Sequence, residues 1–455
     1  MNIKAIILAA GQGTRMKSNT SKVLHKVLGK SMVEYPIEAL RKAGISDVCL
    51  IVGHKAEDVK ELLKDDVKYV LQAERLGTGH AVMQATDFIK GADEVIILCG
   101  DTPLVTDETI KSMLDFHHNK GNAATLLSAI IENPTGYGRI IRDVAGNLTK
   151  IVEQKDATAE EAAVKEINGG IYVFNGPLLL DALSKLTNNN SQGEYYLTDT
   201  IEILLNGGNK VDAVVVEDND DILGVNSRSQ LAEATAIMTR RVLEKHMANG
   251  VSIINPQNTY IEPEVEIGKD TVVEPGCMLC GKTVIGEECV IGFNSKLTNM
   301  TIKNRVDIQS SVLIDSFVDD DTHVGPFAYV RPNSHIGKNI KVGDFVEVKN
   351  STIDDGTKIS HLTYVGDSDV GKNVNFGCGT VTVNYDGVNK HRTTIKDHAF
   401  IGCNTNLVAP VTVEENAYTA AGSTITSTVE ANSLAVARAK QVNKKDWVTK
   451  KRKNK

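Results

Sequence analysis

The chain has 455 residues, 41% of them apolar and 24% charged, with a formal net charge of −8 at pH 7. At about 150 residues per domain this length allows two to four domains and excludes a single small binding module. The composition is that of an ordinary soluble globular protein, which argues against disorder and against a general nucleic-acid partner.

No apolar run approaches the ~20 residues that span a bilayer, and no cleavable signal opens the chain. The expected place of action is the cytosol, without membrane insertion. Seven cysteines, an odd number spread over both halves, fit reduced thiols better than a disulfide framework.

Residues 1–227 alternate short apolar strands with amphipathic helices. Strands are expected at 3–10, 48–53, 67–71, 94–99, 123–130, 170–174 and 211–216, and helices beginning near Met32, Ala56, Gly79, Asp107 and Leu197. Such a pattern implies an α/β, Rossmann-like unit with a mostly parallel sheet covered on both faces. Ligands then gather at the carboxyl ends of its strands. Residues 229–249 form one expected helix, with Leu231, Ala234, Ile237, Met238 and Val242 near helical spacing and Gly250 placed to stop it. The expected division is therefore 1–227, a helical connector at 228–250, and a second domain at 251–455.

In that second domain Ile261, Ile267, Val273, Leu279, Ile285, Ile291 and Leu297 lie six apart, with small or β-branched residues such as Thr271, Cys277, Thr283, Cys289 and Ser295 four later. The spacing returns from Val318 to Val348 and again from Ile401 to Ile425. A strict six-residue repeat is the signature of a parallel β-helix. The slips between Leu297 and Val318, and the gap from Tyr385 to His398, are expected to project as irregular turns or loops. A terminal coil cannot bury its own face, so capping or oligomerisation is required.

Two features carry chemistry on their own terms. The stretch Leu8-Ala-Ala-Gly-Gln-Gly-Thr-Arg-Met16 follows a buried strand and precedes Lys22. Its glycines permit close backbone approach to phosphate, and Arg15 and Lys22 can neutralise a triphosphate; the alternative is a tight glycine turn. Met16 stands where a dinucleotide fingerprint has its third glycine. In the repeat, Arg331 and Lys349 are one coil apart if three hexapeptides make a turn. They read either as a stacked phosphate clamp or as two solvated charges. Cys277 and Cys280 mimic half a zinc site but lack a second pair at metal spacing. After Ala437 the chain carries nine basic residues, from Arg438 to Lys455, against the single acid Asp446; most such tails are solvated and frayed.

The loop from Leu8 to Met16, together with Leu76-Gly-Thr-Gly-His80, Cys99-Gly-Asp-Thr-Pro103, Gly136-Tyr-Gly-Arg139, Gly224-Val-Asn226 and the hexapeptides after them, resembles one family closely and over essentially the whole chain. It is that of the bifunctional N-acetylglucosamine-1-phosphate uridylyltransferases and glucosamine-1-phosphate N-acetyltransferases. The resemblance implies a nucleotidyltransferase domain followed by a left-handed parallel β-helix. In the first, UTP meets Leu8, Ala9, Ala10, Gly11, Arg15, Lys22, Gln72, Gly77, Thr78 and Asn226, the sugar meets Gly138, Glu153 and Asn168, and Mg²⁺ is held by Asp101 and Asn226. One carboxylate and one amide oxygen suit that hard cation.

For the second domain the resemblance implies acetyl transfer from acetyl-CoA to glucosamine 1-phosphate, with His361 as proton acceptor. A neutral imidazole suits that role, and Glu347 is the expected partner that orients it. Arg331 and Lys349 take the sugar phosphate, and Tyr364, Asn375 and the pair Asn384-Tyr385 the amino sugar. Acetyl-CoA maps to Cys378, Cys403, Ala421 and Arg438, with Asn384 and Tyr385 shared, and to Lys444 at its phosphates. The family assembles as a homotrimer. Gln12, Cys99, Gly169, Cys378 and Cys403 depart from the common pattern, and none of these changes removes a metal ligand. The alternatives are a single-activity sugar nucleotidyltransferase whose β-helix serves assembly or regulation, and an inactive assembly subunit.

Overall fold

A computed structural model describes residues 1–452; the last basic residues, Lys453 and Lys455 among them, lie outside the described part. The chain forms two compact units, Met1–Met238 and Thr239–Lys455, and the division falls within the helix Arg228–Ala248.

In the first unit the main sheet has nine strands, in chain order β1 (Ile3–Ala9), β2 (Val48–Val52), β3 (Lys68–Leu71), β4 (Glu94–Cys99), β5 (Ala124–Ile130), β6 (Arg139–Arg142), β7 (Leu148–Val152), β8 (Glu166–Asn175) and β9 (Val211–Val215), and a separate short pair joins Lys26–Val27 to Lys30–Ser31. The sheet runs β9-β5-β8-β4-β1-β2-β3, with the hairpin β6-β7 attached to β8. Side chains alternate across it, since successive Cβ atoms point to opposite faces. Thus Ala5, Ile7 and Ala9 join one core with Leu50, Leu98 and Ile110, while Ile6 joins the other with Ile51, Ile97 and Phe174. Helices cover both faces, including Glu34–Lys42 and Asp107–Lys120 against the first and Thr78–Gln84 and Asp199–Asn206 against the second.

The expected mostly parallel sheet is found, and its antiparallel part lies at β8 and the hairpin attached to it. Strand β8 runs antiparallel to both β4 and β5, and its register shifts between Asn168 and Tyr172. That irregularity frees the backbone of Gly169 and Gly170 from the ladder and turns Asn168 toward the strand ends, where its Nδ2 donates to the Tyr172 hydroxyl at 2.6 Å. Bulges commonly re-aim a side chain in this way.

The second unit is a triangular parallel β-helix. Its three sheets hold 11, 10 and 9 strands, and each strand pairs with the one three further along until the last coil, where Tyr418–Thr419 pairs with Leu434–Ala435, two strands on. Ile261, Leu279, Leu297, Leu313 and Val330 stack in register down one face, all of them buried in the prism. The small position is also a polar plug. Thr322 Oγ1 donates to Gly337 O at 2.7 Å and accepts from Ile340 N at 3.0 Å, and Thr357 does the same to Gly371 O and Val374 N. One hydroxyl so satisfies a donor and an acceptor that the corner would leave buried.

The slips between Leu297 and Val318 are corrected. They are not projecting loops: Leu297 pairs with Leu313 and Ile302 with Val318, so the coil shortens and stays in the prism. Buried Met300 and Val306 take over the small position there. The gap after Tyr385 does project, as a loop closed by a bridge between Tyr385 and Lys390. Cys277 faces the interior, its Sγ 3.2 Å from Gly292 O. The described part of the tail is exposed and includes a short helix, Trp447–Arg452.

Candidate active sites

The first site sits at the carboxyl end of β1 and β4. After Ala10 the chain turns through Gly13, which adopts a left-handed φ of 62° and lies so close to Lys22 that an added Cβ would stand 2.7 Å from Lys22 Cβ. This packing delivers the Lys22 ammonium to Asp101, just past β4, and to Asn226 Oδ1 at 2.5 Å. Val225 N donates to Asp101 O at 2.8 Å, which ties the segment carrying Asn226 to the strand end. The two oxygens expected to hold a cation therefore already share one, the lysine's own. Leu8 and Ala9 end the strand, buried Ala10 follows it, and Gly11 and Arg15 stand exposed on the loop beyond.

A second group lies after β3. Buried Gln72 donates from Nε2 to Gly77 O at 3.1 Å, and Thr78 Oγ1 accepts from Leu197 N at 3.1 Å. Gly77 has φ 106°, and an added Cβ would stand 2.4 Å from Tyr195 O; only glycine tolerates both. A third group joins the hairpin β6-β7 to β8. A Cβ built on Gly138 would lie 3.6 Å from Asn168 Cβ and 3.7 Å from Glu153 Oε1. Thr198 Oγ1 donates to Glu153 Oε1 at 3.1 Å.

The segment from Tyr195 to Thr198 thus touches both the Thr78 and the Glu153 groups. Sequence reasoning missed it, although Gly193-Glu-Tyr-Tyr-Leu-Thr-Asp199 is a polar, aromatic stretch opening a helix. Burial holds the Glu153 carboxyl above its ordinary range, and the same cause, reinforced by Glu153, pushes Asp199 up to about 6. The departure at Cys99 keeps its Sγ 3.6 Å from Gly170 O, with the thiol pushed up to about 12 by burial.

The second site is built on one edge of the β-helix. The strand Lys358–His361 ends at His361, Leu362 turns the corner, and Tyr364–Gly366 opens the next face. Arg331 and Lys349 stand on that next face, where the strands Tyr329–Val330 and Glu347–Lys349 pair in register and Arg331 N donates to Val348 O. Asn375 lies on the face before the edge. Along the edge itself, Gly379 N bonds Leu362 O, Asn404 N bonds Cys378 O and Gly422 N bonds Cys403 O. His361, Cys378, Cys403 and Ala421 consequently form one column, and Arg438 Cδ comes within 3.7 Å of a Cβ built on Gly422.

The orienting partner of His361 is Asp344, not Glu347. Its Oδ1 lies 2.7 Å from His361 Nδ1, whereas Glu347 Oε1 accepts from Arg331 NH1 at 2.8 Å. The Asp344 carboxyl is held below its ordinary range by that histidine bond. An ionised carboxylate only accepts, so Nδ1 donates to it, and in the neutral imidazole that tautomer leaves the lone pair on Nε2. Asp344 is in register with His361 on the preceding coil.

Around Lys349 the loop from Asn384 to His391 adds Lys390, whose amine lies beside the Lys349 ammonium and lowers its pKa. Sequence reasoning missed that neighbour as well. Asn384 Nδ2 donates to the Tyr364 hydroxyl at 3.3 Å and to Asp367, while Tyr385 is exposed with its hydroxyl on Gly387 O at 2.6 Å. Cys403, Ala421, Arg438 and Lys444 are exposed.

The nucleotidyl transferase family matches residues 4–236, the bacterial transferase hexapeptide family (six repeats) matches 258–299, and the GMPPB C-terminal domain family matches 314–411. Hexapeptide membership makes the prism a left-handed β-helix. Curated relatives span both units. One from Clostridioides difficile (strain 630) is 55% identical, covering 99% of this chain and 98% of its own. Others from Acetivibrio thermocellus and Clostridium novyi (strain NT) are each 57% identical, covering 99% and 98% of this chain and 98% of their own. All three are named bifunctional protein GlmU.

Proposed function

The chain belongs to the GlmU family of bifunctional proteins, and from that premise we propose how its two units divide two reactions. It is an enzyme with a uridylyltransferase and an acetyltransferase activity. Acetyl-CoA first acetylates the amine of glucosamine 1-phosphate; UTP then gives UMP to the product, yielding UDP-N-acetylglucosamine and pyrophosphate. Residues 1–227 carry the second reaction, 251–455 the first, and 228–250 connect them.

The observation that carries the acetyl-transfer assignment is the His361–Asp344 pair beside a cationic cluster. The phosphate of the amino sugar binds at Arg331 and Lys349, where Lys390 adds charge. Tyr364, Asn375 and Asn384 orient the ring, so that the amine meets His361 Nε2. The imidazole takes the amine proton as nitrogen attacks the thioester carbonyl, and the carbon–sulfur bond breaks to release the thiol. Asp344 fixes the tautomer and stabilises the imidazolium that forms. A β-helix serving assembly alone has no use for this pair.

In the first unit, Asp101 and Asn226 would hold Mg²⁺. They fit because their oxygens already accept the Lys22 ammonium in place of a cation. When bound, Mg²⁺ supplies charge that offsets the crowded phosphate oxygens. Lys22 is then free to turn to the triphosphate, joined by Arg15 and the backbone of the Ala10 to Gly13 loop. Gln72, Gly77 and Thr78 hold the uracil nucleotide, and Gly138, Glu153 and Asn168 the sugar, aligning its phosphate oxygen with the α-phosphorus.

We assign the assembly as a homotrimer through the β-helix. Phe327, Phe345 and Leu362 stand on successive corners of one edge, each 57% exposed, and the two phenylalanine rings stack at 5.4 Å. All three hold φ between 40° and 61°, a conformation costly for bulky residues. A strained apolar ladder is explained when a second copy covers it. The setting assigned is the cytosol: all seven cysteines are free, and no helix among the described residues is long and apolar enough to cross a membrane.

The test is to incubate the full chain with glucosamine 1-phosphate, acetyl-CoA, UTP and Mg²⁺ and omit each in turn. Thiol release should need only the first two, and pyrophosphate release all four. Pyrophosphate formed equally well without acetyl-CoA would contradict the assigned order.

A further inference from the structure

Two of the seven cysteines differ from the rest. Burial pushes the thiols of Cys49 and Cys99 up to about 12 and those of Cys277 and Cys280 up to about 11, and raises Cys289 too. Since the thiolate is the species that reacts with oxidants and disulfides, those five are protected. Cys403 is exposed and Cys378 half-buried.

These two accessible thiols occupy the same position on consecutive coils. Phe376 pairs with Ile401 in the parallel ladder, Gly377 N donates to Ile401 O at 2.7 Å, and Asn404 N donates to Cys378 O at 2.8 Å. The coils approach closely: a Cβ built on Gly377 would stand 2.4 Å from Cys403 N and 2.8 Å from Cys403 Cα. Each cysteine is followed by a left-handed residue, Gly379 at φ 77° and Asn404 at φ 55° one coil apart on the same corner, so the two side chains leave the edge in parallel. Strands so paired lie about 4.8 Å apart, inside the roughly 4.4–6.8 Å separation of α-carbons that a disulfide accepts.

We propose that Cys378 and Cys403 form a reversible oxidation site, a cross-coil disulfide generated by a peroxide and opened by thiols. One thiolate attacks the peroxide oxygen, forming a sulfenic acid and releasing water. The second thiol displaces a second water as the sulfur–sulfur bond closes; the two cysteines lose two electrons and the peroxide gains them. Both residues sit in the column between His361 and Ala421. On the reading that acetyl-CoA lies along that column, on which this consequence rests, the cross-link narrows the path of the acyl donor and stops acetyl transfer while uridylyl transfer continues.

The experiment treats the full chain with hydrogen peroxide, quenches it, and follows both activities beside peptide mass mapping without reductant. The expected result is a Cys378–Cys403 linked peptide lighter by two hydrogens than its reduced parts. Acetyl transfer should fall at least tenfold, uridylyl transfer should hold, and both the linkage and the loss should reverse with a thiol reductant. C378A and C403S are each compared with themselves before and after peroxide, and that ratio should stay near one whatever their starting rates. Absence of the linked peptide, or its appearance only between chains, overturns the oxidation site. Linkage without loss of acetyl transfer leaves the site standing and overturns the placement of acetyl-CoA on the column.

Discussion

Replacing Asp344 with Asn separates the two candidates for the partner of His361. The bond between Asp344 Oδ1 and His361 Nδ1 is 2.7 Å long, and the two side chains are 39% and 57% exposed. Loss of the carboxylate removes the counter-charge of the imidazolium that forms as the amine is deprotonated. Because solvent screens the pair, the loss sits at the weak end for hydrogen bonds to charged groups, about tenfold in kcat. An Asn amide that donates to Nδ1 selects the wrong tautomer and deepens it. Glu347→Gln should act differently: Glu347 lies 2.8 Å from the Arg331 guanidinium, so KM for glucosamine 1-phosphate should change and kcat should hold. The assay is thiol release from acetyl-CoA across pH 5 to 9, with uridylyl transfer as the internal control. Wild-type kcat in D344N, with the larger kcat loss in E347Q, would refute the assignment.

Asp101→Asn should lower Mg²⁺-dependent pyrophosphate release at least about a hundredfold and spare acetyl transfer; a wild-type rate would show that the metal lies elsewhere. Phe327→Asn with Phe345→Asn keeps a residue type that tolerates positive φ but removes the apolar ladder, so the mass by light scattering should drop from three chains to one. Asp199→Asn should raise the melting temperature of the first unit at pH 8. The Asp199 carboxyl titrates near 6 in the fold, above its ordinary range, so folding weakens as pH rises toward 6 and the charge stays costly above it. The gain should vanish when the pH falls below the ordinary carboxylate range.

Most of the sheet was legible because its strands are short, nearly continuous apolar runs, as in Glu94–Cys99 with five of its six residues buried. The hairpin β6-β7 was not. Its Arg139, Arg142, Thr149 and Lys150 break the apolar signal, and it is held by edge pairing and by the Arg142–Glu166 ion pair rather than by a two-sided core. The β-helix was legible wherever the sixfold register held. Between Leu297 and Val318 the prism persists because burial, not count, defines it, and a corner can lose a residue while Ile302, Ile308 and Leu313 still point inward. That tolerance also hid Asp344: it stands in register with His361 only 17 residues away, whereas the 18-residue spacing that relates Arg331 to Lys349 leads from His361 to Gly343, which has no side chain to offer. The cluster of Lys22, Asp101 and Asn226 joins three distant segments that only the sheet topology brings together.

The most direct trial of two separate reaction centres in one chain is complementation. H361A and D101N are each supplied with glucosamine 1-phosphate, acetyl-CoA, UTP and Mg²⁺, singly and mixed, and UDP-N-acetylglucosamine is measured. Each alone should form almost none, and the mixture should form it readily, since one variant releases the acetylated sugar phosphate that the other consumes. A mixture as silent as its parts, or a single variant that completes the sequence, would contradict the account.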